Sequence, residues 1–164
     1  MMIAIPEGVT VEISGTSVTA KGPKGAVTKK FSAVVSIEKE NNEILVKGSD
    51  KEKAYVGTVN SIISSMFKGV SEGFNIPLKI SYAHFPVTLE IKGSKILIKN
   101  FLGEKHPRKS RILGETKVEV KGQNVTISGP DKEAVGQTVA NLKAAVKIRK
   151  KDCRIFQDGI YNTE

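Results

Sequence analysis

Apolar and polar residues alternate in two separate stretches of the chain, and a helical pattern follows each stretch. In the first stretch Val9, Val11 and Ile13 alternate with Thr10 and Glu12, which is the period of a half-buried β-strand. Turn residues follow at 14–17, and residues 18–20 return as a hairpin partner. The same pattern predicts further strand pairs at 31–38 with 43–47, 87–92 with 95–99, and 117–121 with 124–128.

Two helices are predicted from apolar residues that recur with helical spacing. The first helix places one apolar row on the sheet, formed by Tyr55, Val59, Ile62, Ile63 and Met66. The second helix, from residue 131 to about 146, has the buried row Val135, Val139, Leu142 and Val146. Residues 70–86 connect the two halves, and their alternating apolar residues predict that part of this connector is a strand.

An internal repeat explains why the order of elements occurs twice. Residues 9–25 (VTVEISGTSVTAKGPKG) match residues 87–103 (VTLEIKGSKILIKNFLG), and KGSDKE at 47–52 matches SGPDKE at 128–133. We therefore predict an α+β fold of two similar tandem domains from an internal duplication, each a small, mostly antiparallel sheet covered by one helix. The predicted division is 1–82 for the first repeat with its connector, 83–146 for the second repeat, and 147–164 for a basic and aromatic C-terminal tail.

The positive charge of the chain is concentrated in two segments. The net charge is +9 and the pI is about 9.6, which points to a polyanionic partner. Residues 1–82 carry a net charge of +2 and residues 83–164 carry +7. The segments 99–111 (+4) and 143–154 (+5) together equal the whole net charge of the chain. This focused excess favours a nucleic-acid partner over a generally basic surface.

Several classes of protein are disfavoured by the residues present. The single cysteine, Cys153, excludes an internal disulfide framework and is typical of a reducing compartment. His84 and His106 have no cysteine or carboxylate cluster at ligand spacing, so we expect no metal and no cofactor. There is no phosphate-binding loop, nucleophile elbow or catalytic triad pattern, and no apolar run of membrane-spanning length. We expect a cytoplasmic protein without enzymatic activity.

Two segments are the main candidates for RNA contact. The loop from Asn100 to Arg111 has cations that can neutralise phosphates, and Arg108 or Arg111 can also make bidentate or stacked contacts. The basic tail ends in apolar and aromatic residues, which predicts that it packs when bound. We therefore hypothesise that the tail is loose in the free protein and becomes ordered on RNA. The alternatives are a solvated basic loop and a disordered charged terminus.

The turn KGPKG, from Lys21 to Gly25, is a weaker candidate. Because strands are predicted on both sides of it, it is interpreted first as a tight hairpin turn. A secondary contact to RNA or to a neighbouring protein by Lys21 and Lys24 is the alternative.

The chain resembles a known family in four motifs. These are KGPKG (21–25), NFLGEKHPRK (100–109), SGPDKEAVGQTVAN (128–141) and RIFQDGIY (154–161), of which the last is the most specific. Together they are similar to the large-subunit ribosomal protein six family, in its archaeal and eukaryotic-type branch. The resemblance covers essentially the full length.

The resemblance implies a structural, non-catalytic constituent of the large ribosomal subunit. Such a protein binds rRNA beside the sarcin–ricin loop, near the docking site of GTP-hydrolysing translation factors, and its partners include neighbouring ribosomal proteins. Residue charge and resemblance together predict the following rRNA contacts: Lys99, Asn100, Phe101, Gly103, Lys105, His106, Pro107, Arg108, Lys109, Arg111, Lys143, Lys147, Arg149, Lys150, Lys151, Arg154, Phe156, Gln157, Asp158, Gly159 and Tyr161. The alternatives are a free-standing RNA-binding or regulatory protein and an enzyme that acts on an anionic substrate.

Overall fold

The computed structural model describes residues 2–32, 35–40, 43–48, 52–149, 151–152 and 154–163, which form two compact units. The first unit comprises residues 1–73 with 130–132, and the second comprises residues 74–129 with 133–164. Within the described residues, neither helix has the length and apolar composition needed to cross a bilayer.

The first unit contains two three-stranded antiparallel sheets and one long helix. Its strands are β1 (Met2–Ala4), β2 (Thr10–Ser14), β3 (Ser17–Gly22), β4 (Gly25–Lys30), β5 (Ser36–Glu40) and β6 (Glu43–Lys47), and its helix is α1 (Lys53–Ser71). The strand orders are β1-β6-β5 and β2-β3-β4. Val59, Ile63 and Met66 of α1 are buried in a core that both sheets share, whereas Tyr55 and Ile62 lie partly buried at its edge. The predicted apolar face of this helix is therefore confirmed.

The second unit repeats this arrangement and adds one strand. Its elements are β7 (Phe74–Ser81), β8 (Thr88–Lys92), β9 (Lys95–Lys99), β10 (Arg108–Arg111), β11 (Lys117–Lys121), β12 (Asn124–Gly129), α2 (Lys132–Ala145) and β13 (Gly159–Asn162). The strand orders are β10-β9-β8 and β11-β12-β7-β13. The predicted row Val135, Val139, Leu142 and Val146 is buried throughout, as expected.

The two units match element for element. Strands β1 to β6 and helix α1 correspond in order and pairing to β7 to β12 and α2, and β13 has no counterpart among the residues of the first unit that the structure describes. The α+β class and the tandem duplication predicted from the sequence are thus confirmed. Each unit has two small sheets, however, where the sequence predicted one.

The boundary between the units lies earlier than the predicted division at residue 82. Strand β7 pairs with β12 through Leu78 opposite Val125 and Ile76 opposite Ile127, so it is a central strand of the second unit. The connector was expected to contain a strand, and it does. The prediction was wrong only in assigning this strand to the first repeat, since alternation identifies a strand without identifying the sheet that it joins.

Candidate nucleic-acid interface

Three segments of the second unit converge on one surface. We call residues 82–86 the aromatic loop, residues 100–107 the long loop, and residues 147–164 the tail. The amide nitrogen Nδ2 of Asn100 donates to the carbonyl oxygen of Pro86 at 3.1 Å. A Cβ added to Gly103 would lie 3.3 Å from the ring of Phe85. The aromatic loop and the long loop are therefore in direct contact.

The long loop joins β9 to β10 in a strained conformation. Asn100 and Leu102 have positive φ angles of 58° and 52°, which non-glycine residues rarely adopt. Phe101 between them is 1% exposed and belongs to the core of the second unit. Phe101 was predicted to contact RNA, but its burial argues against a direct contact. Its ring instead anchors the loop and holds the strained residues on either side of it.

Arg108 links the long loop to the end of α2. Its Nε donates to Glu104 at 2.8 Å and its Nη2 donates to the second oxygen of the same carboxylate. Its Nη1 donates to the carbonyl oxygens of Ala145 at 2.9 Å and Lys147 at 3.3 Å. The guanidinium carbon also lies 4.5 Å from the centre of the Phe101 ring. Arg108 therefore makes bidentate and stacked contacts of the expected kind within the protein.

The pKa values of this pair reflect the same contact. The hydrogen bond from Arg108 holds the pKa of Glu104 below its usual value, although partial burial opposes the shift. The hydrogen bond to Glu104 likewise raises the pKa of Arg108 above its already high value. The pair therefore stays ionised at neutral pH and fixes the geometry of the loop.

The end of the tail is built into the second unit. Strand β13 pairs with β7 through Ile160 opposite Ile80, and Ile160 is 4% exposed within the core. The structure therefore contradicts the hypothesis that the tail as a whole is loose in the free protein. Strand β13 begins at Gly159.

Asp158 attaches the tail to the aromatic loop. Its side chain is fully buried, and its Oδ1 accepts from the backbone nitrogen of Ala83 at 3.1 Å and lies 3.3 Å from Nδ1 of His84. Burial raises the pKa of Asp158, but the hydrogen bonds from Ala83 and His84 outweigh it and leave the pKa below its usual value. Asp158 and the buried Gly159 were predicted to contact RNA, and their burial argues against that role.

The rest of the tail presents aromatic and basic groups. The Phe156 ring stacks on His84 with centroids 4.9 Å apart, and Nζ of Lys151 lies 4.4 Å from its centre. Arg154 is largely exposed and donates from Nε to Asp152 at 3.2 Å. The hydroxyl of Tyr161 donates to the carbonyl oxygen of Gln157 at 2.9 Å, which fixes the orientation of a half-exposed ring.

Most of the other predicted site residues lie at the surface of the second unit. The exposed ones are Lys99, Asn100, Gly103, Lys105, His106, Pro107, Lys109, Arg111, Lys147, Arg149, Lys151, Arg154, Gln157 and Tyr161, and the half-buried ones are Arg108, Lys143 and Phe156. Lys150 lies outside the described residues. Lys99 forms an ion pair with Glu90, so part of its charge is already balanced. Lys109 and Arg111 both stand exposed on β10, at the edge of its sheet.

The aromatic loop was not among the segments predicted from the sequence to contact RNA. Tyr82 is 37% exposed and Phe85 is 45% exposed, and His84 lies between them against the tail. Three ring-bearing residues within residues 82–85 are a dense group in a chain that is only 5% aromatic. This density was a usable signal, but the segment was assigned to the connector.

The turn at residues 21–25 is closed against α1. The backbone nitrogen of Lys24 donates to the carbonyl oxygen of Val70 at 3.0 Å, and Nζ of Lys21 pairs with Glu12 at 2.8 Å. The pairing of β3 with β4 extends to Gly22 opposite Gly25, as in a tight hairpin turn. The two lysine side chains are exposed, and a secondary contact through them remains a prediction.

Comparison with known proteins identifies the class to which this duplicated fold and basic surface belong. The family model described as "Ribosomal protein L6" matches residues 5–73 and 85–159, which are the two repeats. The chain therefore belongs to the ribosomal protein L6 family, a family of structural, non-enzymatic ribosomal proteins.

Curated relatives agree with this assignment over nearly the whole chain. The chain is 49% identical to "Large ribosomal subunit protein uL6" of Methanobrevibacter smithii, over 97% of this chain and 92% of the relative. It is 50% identical to the protein of the same name from Methanosarcina mazei (97% and 93% covered) and 48% identical to that of Staphylothermus marinus (97% and 90%). The predicted family and its archaeal-type branch are confirmed, and the protein is a structural component of the large ribosomal subunit that assembles with rRNA and other ribosomal proteins.

Proposed function

We propose that this protein attaches to large-subunit rRNA through the surface formed by the aromatic loop, the long loop with β10, and the tail. The observation that carries the proposal is the distribution of charge. The segments 99–111 and 143–154 hold the whole net charge of the chain, and Arg108 joins them through Ala145 and Lys147. A single polyanionic surface can thus engage both segments at once.

The mechanism is electrostatic attachment to a rigid support. Exposed cations such as Lys105, Lys109, Lys147 and Arg149 neutralise backbone phosphates and release condensed counterions. Because Phe101, Arg108 and Asp158 hold the segments in place, little ordering entropy is lost on binding. This pre-organisation supports stable incorporation into a subunit, in contrast to the weak reversible binding of a free-standing RNA-binding protein.

The location on rRNA is the finer part of the proposal. We infer from the family resemblance that the surface lies beside the sarcin–ricin loop and supports the site at which GTP-hydrolysing translation factors dock. The exposed rings of Tyr82 and Phe85 add stacking surfaces, which suit the unpaired bases of folded RNA loops. The protein contributes to this site by positioning RNA and not by chemistry.

A tethered cleavage reagent tests the location directly. Cys153 is the only cysteine, so a Cys153→Ser background allows one new cysteine to carry an iron chelate that cleaves nearby RNA. The reagent is placed at Lys105→Cys in the long loop, and the matched control is Thr28→Cys, an exposed position on β4 of the first unit. Assembled subunits are probed for rRNA cleavage.

We expect the probe at residue 105 to cleave next to the sarcin–ricin loop and the control to give weaker cleavage there. Cleavage from residue 105 confined to other rRNA regions would refute the proposed location. Loss of the protein from the large subunit in a high-salt gradient would instead favour a free-standing RNA-binding protein.

A further inference from the structure

A groove lies between the end of α2 and the tail. Its volume is about 490 Å³, within the range of small-ligand sites of about 300–1,000 Å³. The side formed by the end of α2 and the first residue of the tail, which we call the helix side, contributes Lys143, Ala144 and Lys147. The later part of the tail contributes Phe156, Asp158 and Tyr161. All of these residues belong to the second unit.

The walls of the groove suit a flat ring. Tyr161 is 50% exposed, and its hydroxyl is held by the carbonyl oxygen of Gln157 at 2.9 Å, so its ring is oriented before any ligand binds. Phe156 is fixed by its stack on His84 and lines the same groove. Aromatic rings of this kind stack on nucleobases with little dependence on base identity.

The charges of the groove orient such a ligand. The buried carboxylate of Asp158 lies among the lining residues and disfavours a phosphate placed deep in the groove. Lys143 and Lys147 on the helix side favour a phosphate at the rim. A nucleotide therefore fits with its base inward and its phosphate outward.

We propose that this groove receives one unstacked nucleotide of the rRNA, with the base against Tyr161 and the phosphate near Lys143 and Lys147. The inference rests on the proposed RNA attachment and adds a site for an extrahelical nucleotide to the electrostatic surface. An apolar side chain of a neighbouring protein would need no cations at the rim, so the charges favour the nucleotide.

The test compares two RNA probes with the full-length protein. One probe is a perfect RNA duplex, and the other is the same duplex with a single bulged 2-aminopurine, whose fluorescence falls when it stacks. Ala144→Met fills the groove from an exposed helix position, and Ala140→Met is its control because Ala140 is exposed on α2 and does not line the groove. Tyr161→Leu removes the stacking ring, and Tyr161→Phe is its control because it keeps a ring on the wall of the groove.

We expect the bulged probe to bind about tenfold more tightly than the duplex, since stacking of one base on an aromatic ring is worth about that factor. Ala144→Met and Tyr161→Leu should abolish the difference and the fluorescence change, and both controls should keep them. Equal affinity for the two probes, or a preference that survives Ala144→Met, would overturn this inference while leaving the RNA attachment intact. Failure of both probes to bind would overturn the proposed function and the inference together.

Discussion

The two units share one arrangement of elements but differ at three places. In the first unit a two-residue turn joins β3 to β4, whereas in the second the eight-residue long loop joins β9 to β10. The second unit also has the aromatic loop and the added strand β13. Residues 1–73 carry a net charge of +1 and residues 74–164 carry +8. The duplicated core is thus common to both, and the differences coincide with the candidate interface.

In the first unit the turn between β3 and β4 is held close to α1. Gly22 lies so close to α1 that an added Cβ would be 2.6 Å from the carbonyl oxygen of Val70. In the second unit Asn100 stands at the position equivalent to Gly22 and begins the long loop. The first unit is thus closed at the place where the second unit extends into the proposed binding surface.

Removing the buried side chain of β13 should have the largest effect on stability. Ile160→Ala should lower the free energy of unfolding by about 2–5 kcal/mol, because a buried aliphatic side chain is lost and a cavity remains. Ile155→Ala is the control, since Ile155 is 67% exposed and should cost no more than about 0.5 kcal/mol. Denaturant unfolding measures both. Equally small losses of stability for the two variants would show that β13 does not stabilise the second unit.

The second-largest loss of stability is expected when Arg108 is replaced. Arg108→Gln should cost about 1.5–3 kcal/mol, because charged hydrogen bonds to Glu104 and the carbonyl oxygens of Ala145 and Lys147 are lost. Arg111→Gln is the matched control on the same strand, and thermal unfolding compares the two. An unchanged unfolding temperature for Arg108→Gln would show that these hydrogen bonds do not stabilise the protein.

The closed turn of the first unit can be tested by adding one methyl group. Gly22→Ala should destabilise the protein by about 1–3 kcal/mol, because the new Cβ collides with the backbone of Val70. Gly57→Ala in α1 meets nothing within 4 Å and should stabilise the helix by about 0.5–1 kcal/mol. Calorimetry that finds both substitutions harmless would refute the close approach.

The smallest expected effect is a loss of stability in acid, through the contacts of Asp158 that attach the tail. A carboxyl with a lowered pKa contributes stability that is complete above the unfolded value of about 4 and is lost as the pH falls through the folded value. The wild-type protein should therefore lose stability more steeply than Asp158→Asn as the pH falls below about 4. Measuring the free energy of unfolding of both proteins across that pH range tests this difference. Parallel curves would mean that the Asp158 contacts contribute nothing.

The local features of this protein were predictable, and the non-local ones were not. Hairpin strands and the buried rows of both helices follow from periodicity, and the charged segments follow from composition. Asp158 was misjudged because its partner Ala83 is 75 residues away along the chain. The contacts of Arg108 within the protein were not predictable, because the carbonyl oxygen of Ala145 belongs to the end of α2, which only the fold brings near. Strand β13 has four residues, too few for a clear alternation.

The central claim is that the second unit carries the RNA attachment, and the salt dependence of binding tests it most directly. Two full-length variants each reduce the net charge from +9 to +5 by replacing four exposed cations with glutamine. The variant in the second unit changes Lys105, Lys109, Lys147 and Arg149, and the matched variant in the first unit changes Lys30, Lys39, Lys53 and Lys68. Binding to large-subunit rRNA is measured over a range of salt concentrations.

The account predicts that the second-unit variant lowers the slope of log affinity against log salt by about 3, because each phosphate contact contributes about 0.7–0.9. The first-unit variant should leave the slope unchanged. Equal losses in the two variants would show that overall charge, and not this surface, holds the protein on RNA.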